Sequence, residues 1–206
     1  MIIHDLEQGT EEWRTLRAGM PTSSNFSSLV TSTGKLSKSI EAYAMTLAAD
    51  KFAGKDLRVF TGTTYTERGN ELEAEARMFY SLQRDVDVEE VGFVTDDAAS
   101  WGSSPDGLIC DDLGMLEIKA QAPKGFVETL LKYHKTKKVP SQYIVQLNGQ
   151  MLICKRKYVD LLLYHPDLKS LIIRVEPDEA IVAGLLEAKE LVLSRRDEII
   201  KIMEEL

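Results

Sequence analysis

Cysteine is scarce in this sequence: Cys110 and Cys154 are the only two among 206 residues, and they lie far apart. There is no C-x-x-C pair and no cluster of Cys and His, which argues against a zinc site or an iron–sulfur cluster. We expect both cysteines to be buried, reduced and structural, which fits a cytoplasmic protein. A chain of this length buries about 70% of the surface of its unfolded form, so it needs no disulfide or metal to fold. Any metal would therefore serve chemistry.

Long apolar runs are also missing. The sequence contains no run of eighteen apolar residues, and its N-terminus lacks a charged segment followed by an apolar one, so it predicts neither a transmembrane helix nor a signal peptide. We expect a soluble, unexported protein with no membrane partner. Internal repeats, low-complexity segments and long linkers rich in Pro, Gly or Ser are absent too, which favours one domain over residues 1–206.

Basic residues are fewer than acidic residues, and the formal net charge is −8. An acidic chain argues against a nucleic-acid partner, since phosphate binding usually requires a basic surface. The distribution weakens this argument: residues 119–138 contain six lysines and one acid, and residues 155–157 are all basic. A solvated helix and a surface that binds phosphates both remain compatible with this window.

The spacing of apolar residues predicts helices first and strands later. The first predicted helix begins near Thr10 and ends at Gly19, and the second begins at Thr22 to Ser24. Further predicted helices cover 39–53 and 65–82, a basic helical stretch covers 123–153, and a final helix begins at Pro177. Predicted strands cover 86–94, 101–109, 114–120, 158–165 and 170–176, with a turn at 110–114. This order indicates an α/β (α+β) domain with a mixed central sheet flanked by helices.

The stretch "GMLEIKA" at 114–120 alternates with the period of a strand. Leu116 and Ile118 fall on one face, whereas Glu117 and Lys119 fall on the other. An acid two residues before a lysine occurs twice more, at 167–169 and 187–189, but those copies lie in a predicted turn and a predicted helix. The strand copy alone follows a second acid at the end of a strand, Asp106 of "SSPDG".

Two converging carboxylates suit a hard divalent cation. Asp106 and Glu117 would supply oxygen ligands to Mg²⁺ and leave positions for water and a substrate phosphate. Lys119 could orient or deprotonate the attacking water, with its pKa lowered by burial, or offset charge on the phosphate. A salt bridge between side chains on a solvated face of the sheet explains the same pattern equally well.

A second pattern indicates an anion site near the N-terminus. Arg17 closes one predicted helix, and the hydroxyls of Thr22, Ser23 and Ser24 open the next, so a guanidinium, hydroxyls and free backbone N–H groups could meet one phosphate. Ordinary capping by serines is the competing interpretation. We expect Trp13 to pack against the core rather than stack on a base.

Five motifs occur in an order that resembles a known family. They are "EEWRTLRAGMPTSS", "RGNELEAEAR", "WGSSPDGLI", "LEIKA" and "YIVQLNGQM", and together they span most of the chain. In them the sequence resembles the lambda-exonuclease family, also called YqaJ-type viral recombination exonucleases, of the PD-(D/E)xK nuclease superfamily. The resemblance implies a PD-(D/E)xK core like that of restriction endonucleases.

The resemblance also implies a role for each matching residue. The implied metal ligands are Asp106, Glu117 and the carbonyl of Ile118; the other implied catalytic residues are Lys119, Glu73 and Gln146; the implied ligands of a 5′-phosphate are Arg17 and Ser24. Asn148 departs from the pattern, because relatives often carry a second glutamine there.

The activity implied by the resemblance is that of a nuclease acting on DNA ends. Such an enzyme uses Mg²⁺, with Mn²⁺ as a substitute, to digest one strand of linear double-stranded DNA from a 5′-phosphorylated end to mononucleotides, leaving a 3′ tail for strand annealing. Family members form trimeric rings around DNA, cooperate with a single-strand annealing protein, and are encoded by phages or prophages in the bacterial cytoplasm. An endonuclease on the same core and a catalytically silent DNA-end-binding module remain alternatives.

Overall fold

The computed structural model describes residues 1–57, 64–110 and 113–206, without the side chains of residues 64–71. Asp111 and Asp112 of the predicted turn lie outside the described residues. The helices are α1 (Glu11–Arg17), a 3₁₀ helix (Ser23–Ser28), α2 (Ile40–Ala53), α3 (Thr64–Arg84), α4 (Pro123–Thr136), α5 (Ser141–Ile153) and α6 (Glu179–Glu204). Within the described part of the chain, none of them is long and apolar enough to cross a membrane.

The strands form two separate sheets. They are β1 (Ile2–His4), β2 (Val88–Glu89), β3 (Phe93–Thr95), β4 (Gly102–Ser103), β5 (Gly107–Ile109), β6 (Gly114–Ala120), β7 (Tyr158–Tyr164) and β8 (Leu171–Val175). The larger sheet has the order β2-β5-β6-β7-β8, and a small sheet has the order β1-β3-β4. Among the strands of the described residues, only β6 and β7 pair in parallel, whereas the other pairs are antiparallel. The larger sheet is therefore mixed, as predicted.

Both faces of the large sheet are covered. On one face Leu116 and Ile118 of β6 pack with Ala76 and Tyr80 of α3. On the other face Met115 belongs to a larger core that also contains residues of α2, α5 and α6. The alternation predicted for β6 is thus correct, but the side that carries Glu117 is also buried.

Two glycines, one within a helix and one just after a helix, lie where a larger residue would clash. Gly149 of α5 lies against the 3₁₀ helix, where an added Cβ would come within 2.2 Å of the Phe26 ring. Gly19 follows α1 with a φ of +70°, a left-handed backbone conformation that glycine adopts without strain. This confirms the predicted end of the first helix at Gly19.

Several predicted elements differ from the structure. The predicted strands at 86–94 and 101–109 each split into two short strands that belong to different sheets. The predicted helical stretch at 123–153 is two helices, because Lys137 adopts a left-handed conformation (φ 55°) and Pro140 follows it. Strand β1 was not predicted. Its three residues are too few to show a period.

The cysteines only partly match the prediction. Both are free thiols, and Cys154 is buried, but Cys110 is exposed. Cys110 follows the last residue of β5 and lies in a turn, outside the sheet. Burial raises the pKa of the Cys154 thiol to about 12, which keeps it protonated and unreactive at neutral pH.

Candidate active site

The two predicted metal ligands meet where β5 and β6 diverge. Gly107 pairs with Leu116 and Leu108 with Met115, so continuing this register by one residue sets Asp106 opposite Glu117. Directly opposite residues of an antiparallel pair point to the same face. The Asp106 carboxylate also accepts a hydrogen bond of 2.5 Å from the backbone N–H of Ile118. The structure thus brings Asp106, Glu117 and Ile118 together.

Glu117 is buried and held by three donors. Its side chain is only 2% exposed. Lys119 Nζ and Gln146 Nε2 donate to Oε1 at 2.5 and 2.6 Å, and Gln150 Nε2 donates to Oε2 at 2.6 Å. This burial contradicts the alternative of a salt bridge on a solvated face.

Carboxylates crowd this end of the sheet. Burial and the neighbouring Glu117 carboxylate raise the pKa of Asp106 well above its ordinary value. Burial and Glu117 also raise the pKa of Glu73, which α3 brings to the same site. A site that raises the pKa of two acids favours a bound positive charge.

Lys119 supplies part of that charge. Its burial acts to lower the pKa of the ammonium, but the carboxylates of Glu117 and Asp106 outweigh burial, and the pKa is raised. The expected lowering of the Lys119 pKa is therefore wrong for the protein without bound metal. The ammonium also lies 5.5 Å from the centre of the Tyr143 ring, within the range of a cation–π interaction.

The donor set fits a magnesium ion better than a zinc ion. No group of three or more His, Cys, Asp or Glu side chains within the described residues forms a ready-made cage. Mg²⁺ does not need such a cage, because it binds through one or two carboxylates and keeps several waters. The mutual repulsion of Asp106, Glu117 and Glu73, seen in the raised pKa values of Asp106 and Glu73, is what a divalent cation would relieve.

The predicted anion site also assembles, with one change. Arg17 Nη2 lies 3.5 Å from Thr22 Oγ1, which lies 3.4 Å from Ser24 Oγ. The second helix is a short 3₁₀ helix rather than an α-helix, and Thr22 makes no side-chain capping bond. Ser23 does not face this site, because its buried hydroxyl bonds that of Ser103 at 2.9 Å. Arg17, Thr22 and Ser24 remain as the candidate groups for binding an anion, and that role stays a prediction.

Trp13 contacts both Arg17 of the candidate anion site and the chain segment that precedes Asp106. The Arg17 guanidinium lies 3.7 Å from the centre of the Trp13 ring. The indole N–H donates to the hydroxyl of Ser104 at 3.0 Å, and Ser104 is two residues before Asp106. Trp13 is half-buried, and its expected role as a packing residue stays a prediction.

The predicted basic stretch forms most of an exposed helix. Its lysines 124, 132, 135, 137 and 138 are all exposed on or just after α4. This helix follows β6 directly, so its N-terminus begins four residues after Lys119. The lysine-rich helix therefore begins close in sequence to the strand that carries Glu117 and Lys119.

The family resemblance identified Gln146, but sequence reasoning missed Tyr143 and Gln150, which lie on the same helix and also contact the site. Tyr143, Gln146 and Gln150 are spaced i, i+3, i+7 along α5, so they share one helix face, and all three contact Glu117 or Lys119. Gln121 fixes the Tyr143 hydroxyl with a hydrogen bond of 2.7 Å. The helical spacing was visible in the sequence, but only the structure shows which face meets β6.

Three solved structures similar to this one are of exonucleases. The alkaline exonuclease LHK-Exo from Laribacter hongkongensis aligns with a TM-score of 0.80 and 29% identity, over 95% of this chain and 97% of that chain. Its complex with dAMP aligns with a TM-score of 0.81 and the same identity and coverage. A phage-related exonuclease from Haemophilus somnus 129PT shares the fold, with a TM-score of 0.68, 16% identity, and coverage of 89% and 96%.

The predicted PD-(D/E)xK-like fold is thereby confirmed. A comparison with curated proteins gives no significant match. The sequence profile of the YqaJ-like viral recombinase domain matches residues 12–157, which include the anion site, Asp106, β6 and α5. The chain therefore belongs to the family of YqaJ-like viral recombinase domains.

Proposed function

We propose that this protein is a Mg²⁺-dependent exonuclease that digests one strand of linear double-stranded DNA in the 5′→3′ direction. Family membership supports a nuclease of the recombination-exonuclease kind. The observation that carries the proposal is the cluster of Asp106, Glu117 and Lys119 where β5 and β6 diverge. Mononucleotides would be released, and a 3′ single-stranded tail would remain for strand annealing.

The protein's own groups divide the work of phosphodiester hydrolysis. Asp106 and Glu117 would hold the cation, together with the Ile118 carbonyl, which points to the same side of the strand as the N–H that contacts Asp106. The chemistry that a bound Mg²⁺ would supply there is polarisation of the scissile phosphate and a lower pKa for a water. The ammonium of Lys119 would stabilise negative charge on the phosphate. Its ion pair with Glu117 fixes the position of the ammonium. Gln146 orients Glu117, and Glu73 adds a third acid for water or metal.

The anion site would hold the 5′ end of the substrate. Arg17 and the hydroxyl of Ser24 supply a charge and a donor to a terminal phosphate. Stacking of Arg17 on Trp13 holds the guanidinium in place. Because Trp13 contacts Ser104, the position of the terminal phosphate would be fixed relative to the chain segment that carries Asp106.

The test follows each strand of linear duplex DNA separately. Substrates carry a label at the 5′ or the 3′ end, with or without a 5′-phosphate, beside covalently closed circles, and Mg²⁺ is compared with EDTA and Mn²⁺. The native protein is compared with Lys119→Ala and with Lys169→Ala, a matched control from the acid-x-Lys copy at 167–169. We expect rapid loss of the phosphorylated 5′ strand with the native protein and Lys169→Ala, and none with Lys119→Ala.

Other outcomes separate the alternatives. Cleavage of closed circles would establish an endonuclease. Binding of DNA ends without hydrolysis by the native protein would establish a silent end-binding module. Full activity of Lys119→Ala would remove β6 from the mechanism.

We further propose that the protein acts as a homotrimeric ring around DNA and delivers its 3′ tail to a single-strand annealing protein. The exposed lysines of α4 support a DNA-facing surface, while the net charge of −8 suits an acidic exterior. Sedimentation equilibrium that gives a monomer at working concentrations would contradict the ring.

A further inference from the structure

We infer that Gln150 is a positioning residue that fixes the rotation of the Glu117 carboxylate and thereby sets its affinity for the divalent cation. This inference rests on the function proposed above. Gln150 is fully buried, and its Nε2 donates to Glu117 Oε2 at 2.6 Å. It would not touch the substrate, because its side chain has no exposed surface.

Two glutamines hold opposite oxygens of one carboxylate. Gln146 donates to Oε1, where Lys119 also donates, and Gln150 donates to Oε2. The terminal torsion of a glutamate is broad and has no strong intrinsic preference. Bonds to both oxygens remove that freedom. They use three of about four lone-pair positions of the carboxylate and leave one for a cation.

Stability alone does not explain an amide at this position. Gln150 Oε1 is buried and has no hydrogen-bond partner among the described residues, and an unsatisfied buried acceptor costs free energy. Asn148, buried on the same helix, shows the contrasting case. Its Nδ2 donates to the Ile144 carbonyl at 2.8 Å, and its Oδ1 accepts from the Asp178 N–H at 2.7 Å. Both amide atoms of Asn148 therefore make hydrogen bonds within the fold, whereas the hydrogen bond that Gln150 makes is to Glu117.

Groups that orient a metal ligand have a known size of effect. Their loss typically weakens metal affinity or activity by about 10- to 100-fold. We expect Gln150→Met, which keeps the length of the side chain but removes the donor, to weaken Mn²⁺ binding by about this factor. Gln150→Asn keeps the amide but is one methylene too short to reach Glu117, and should do the same.

The experiment measures Mn²⁺ binding without DNA, by electron paramagnetic resonance of the free ion at fixed pH. Native protein, Gln150→Met and Gln150→Asn are compared with Asn148→Met, in which a buried amide on the same helix is lost away from Glu117, and with Gln142→Met at an exposed position of α5. Thermal unfolding of every variant is recorded beside the binding curve. The Mg²⁺ concentration for half-maximal DNA digestion is the second readout.

The outcomes distinguish the inference from the function on which it rests. Weaker Mn²⁺ binding in both Gln150 variants, with native affinity in Gln142→Met and in a destabilised Asn148→Met, supports a positioning role. Native Mn²⁺ affinity in the Gln150 variants overturns the inference and leaves the proposed function standing. If the native protein itself binds no Mn²⁺ and digests no DNA, the proposed function fails, and the inference fails with it. Should Gln150→Met not fold, Gln150→Asn decides by the same criteria.

Discussion

Three acids and one lysine share a small, largely buried volume at the end of β6. Asp106, Glu117 and Glu73 repel one another there, and a single ammonium, Lys119, partly balances them. Such an arrangement lowers the stability of the folded protein and raises its affinity for a cation. The residues that destabilise the folded protein are therefore the same residues that would bind the cation.

Asp106→Asn should stabilise the protein in EDTA at neutral pH while abolishing hydrolysis. The pKa of Asp106 is raised in the folded state, so folding favours its protonated form. Stability linked to this group is present at low pH and falls as the pH rises from about 4, the ordinary value, through the raised folded value. Thermal unfolding from pH 4 to pH 8 should therefore show a shallower decline for Asp106→Asn than for the native protein. Equal slopes in the two proteins would contradict the crowding argument.

Arg17→Ala should reduce the preference for phosphorylated ends. A charge-assisted hydrogen bond contributes about 1.5–3 kcal/mol, or roughly 10- to 100-fold in rate at low substrate concentration. The check is the ratio of initial rates on duplexes with and without a 5′-phosphate. The non-phosphorylated duplex is the internal control, because its rate should change little. A preference that survives in Arg17→Ala would place the terminal phosphate elsewhere.

At the scale of elements, α3 is fastened to the sheet by a buried polar contact. Asp160 of β7 has no exposed surface and accepts from Tyr80 Oη at 2.7 Å and from Arg174 Nε and Nη2, each at 2.9 Å. Tyr80 belongs to α3, the helix that also carries Glu73. This contact therefore helps to keep Glu73 at the site.

Tyr80→Phe should destabilise the fold more than Tyr164→Phe. The first variant removes a donor to a fully buried carboxylate, which costs about 1–3 kcal/mol. The second removes a hydroxyl whose partner, Glu75, is exposed and can be hydrated, so we expect a loss of at most about 1 kcal/mol. Unfolding by urea, monitored by circular dichroism, gives both values. A smaller loss for Tyr80→Phe would show that Arg174 alone satisfies Asp160.

Helices were easier to predict from the sequence than strands. Thr10, with Glu11 and Glu12 after it, marked the start of α1, and its hydroxyl accepts from the Trp13 N–H as a cap should. The segments 86–94 and 101–109 looked like single strands because a period of two does not reveal which partner each residue will pair with. Pairing with two different sheets is decided by contacts that are distant in sequence.

At the scale of the whole molecule, charge is segregated. The exposed lysines of α4 stand against a net charge of −8, so a small part of the surface would carry the contacts with DNA phosphates. Binding that depends on such contacts weakens steeply as salt increases.

Lys132→Ala combined with Lys135→Ala should weaken DNA binding and flatten its dependence on salt. Each lost phosphate contact lowers the slope of log K against log salt by about 1, so the double variant should lose about 2. Fluorescence anisotropy in EDTA, which prevents hydrolysis, measures the slope. Lys201→Ala, at an exposed position of α6, is the control and should leave it unchanged. An unchanged slope in the double variant would remove α4 from the DNA surface.

The sequence by itself determined the local features of this protein. Asp106, Glu117 and Lys119 could be selected because a strand period and a turn are properties of neighbouring residues. The ends of α1 and the basic composition of α4 were readable for the same reason. The proposed roles of these residues remain predictions.

Only the tertiary structure decided how the site behaves. Burial of Glu117 on a covered face and the contact of Gln150 with Glu117 depend on α5 packing over β6. The raised pKa of Lys119 depends on the carboxylates of Glu117 and Asp106, which the pairing of β5 and β6 brings together. A local pattern carries no information about that packing, because the dielectric surroundings and the hydrogen-bond partners of a side chain come from segments far away in sequence. Asp106, Glu117 and Lys119 were therefore visible in the sequence, whereas Gln150 and the environment of all four side chains were not.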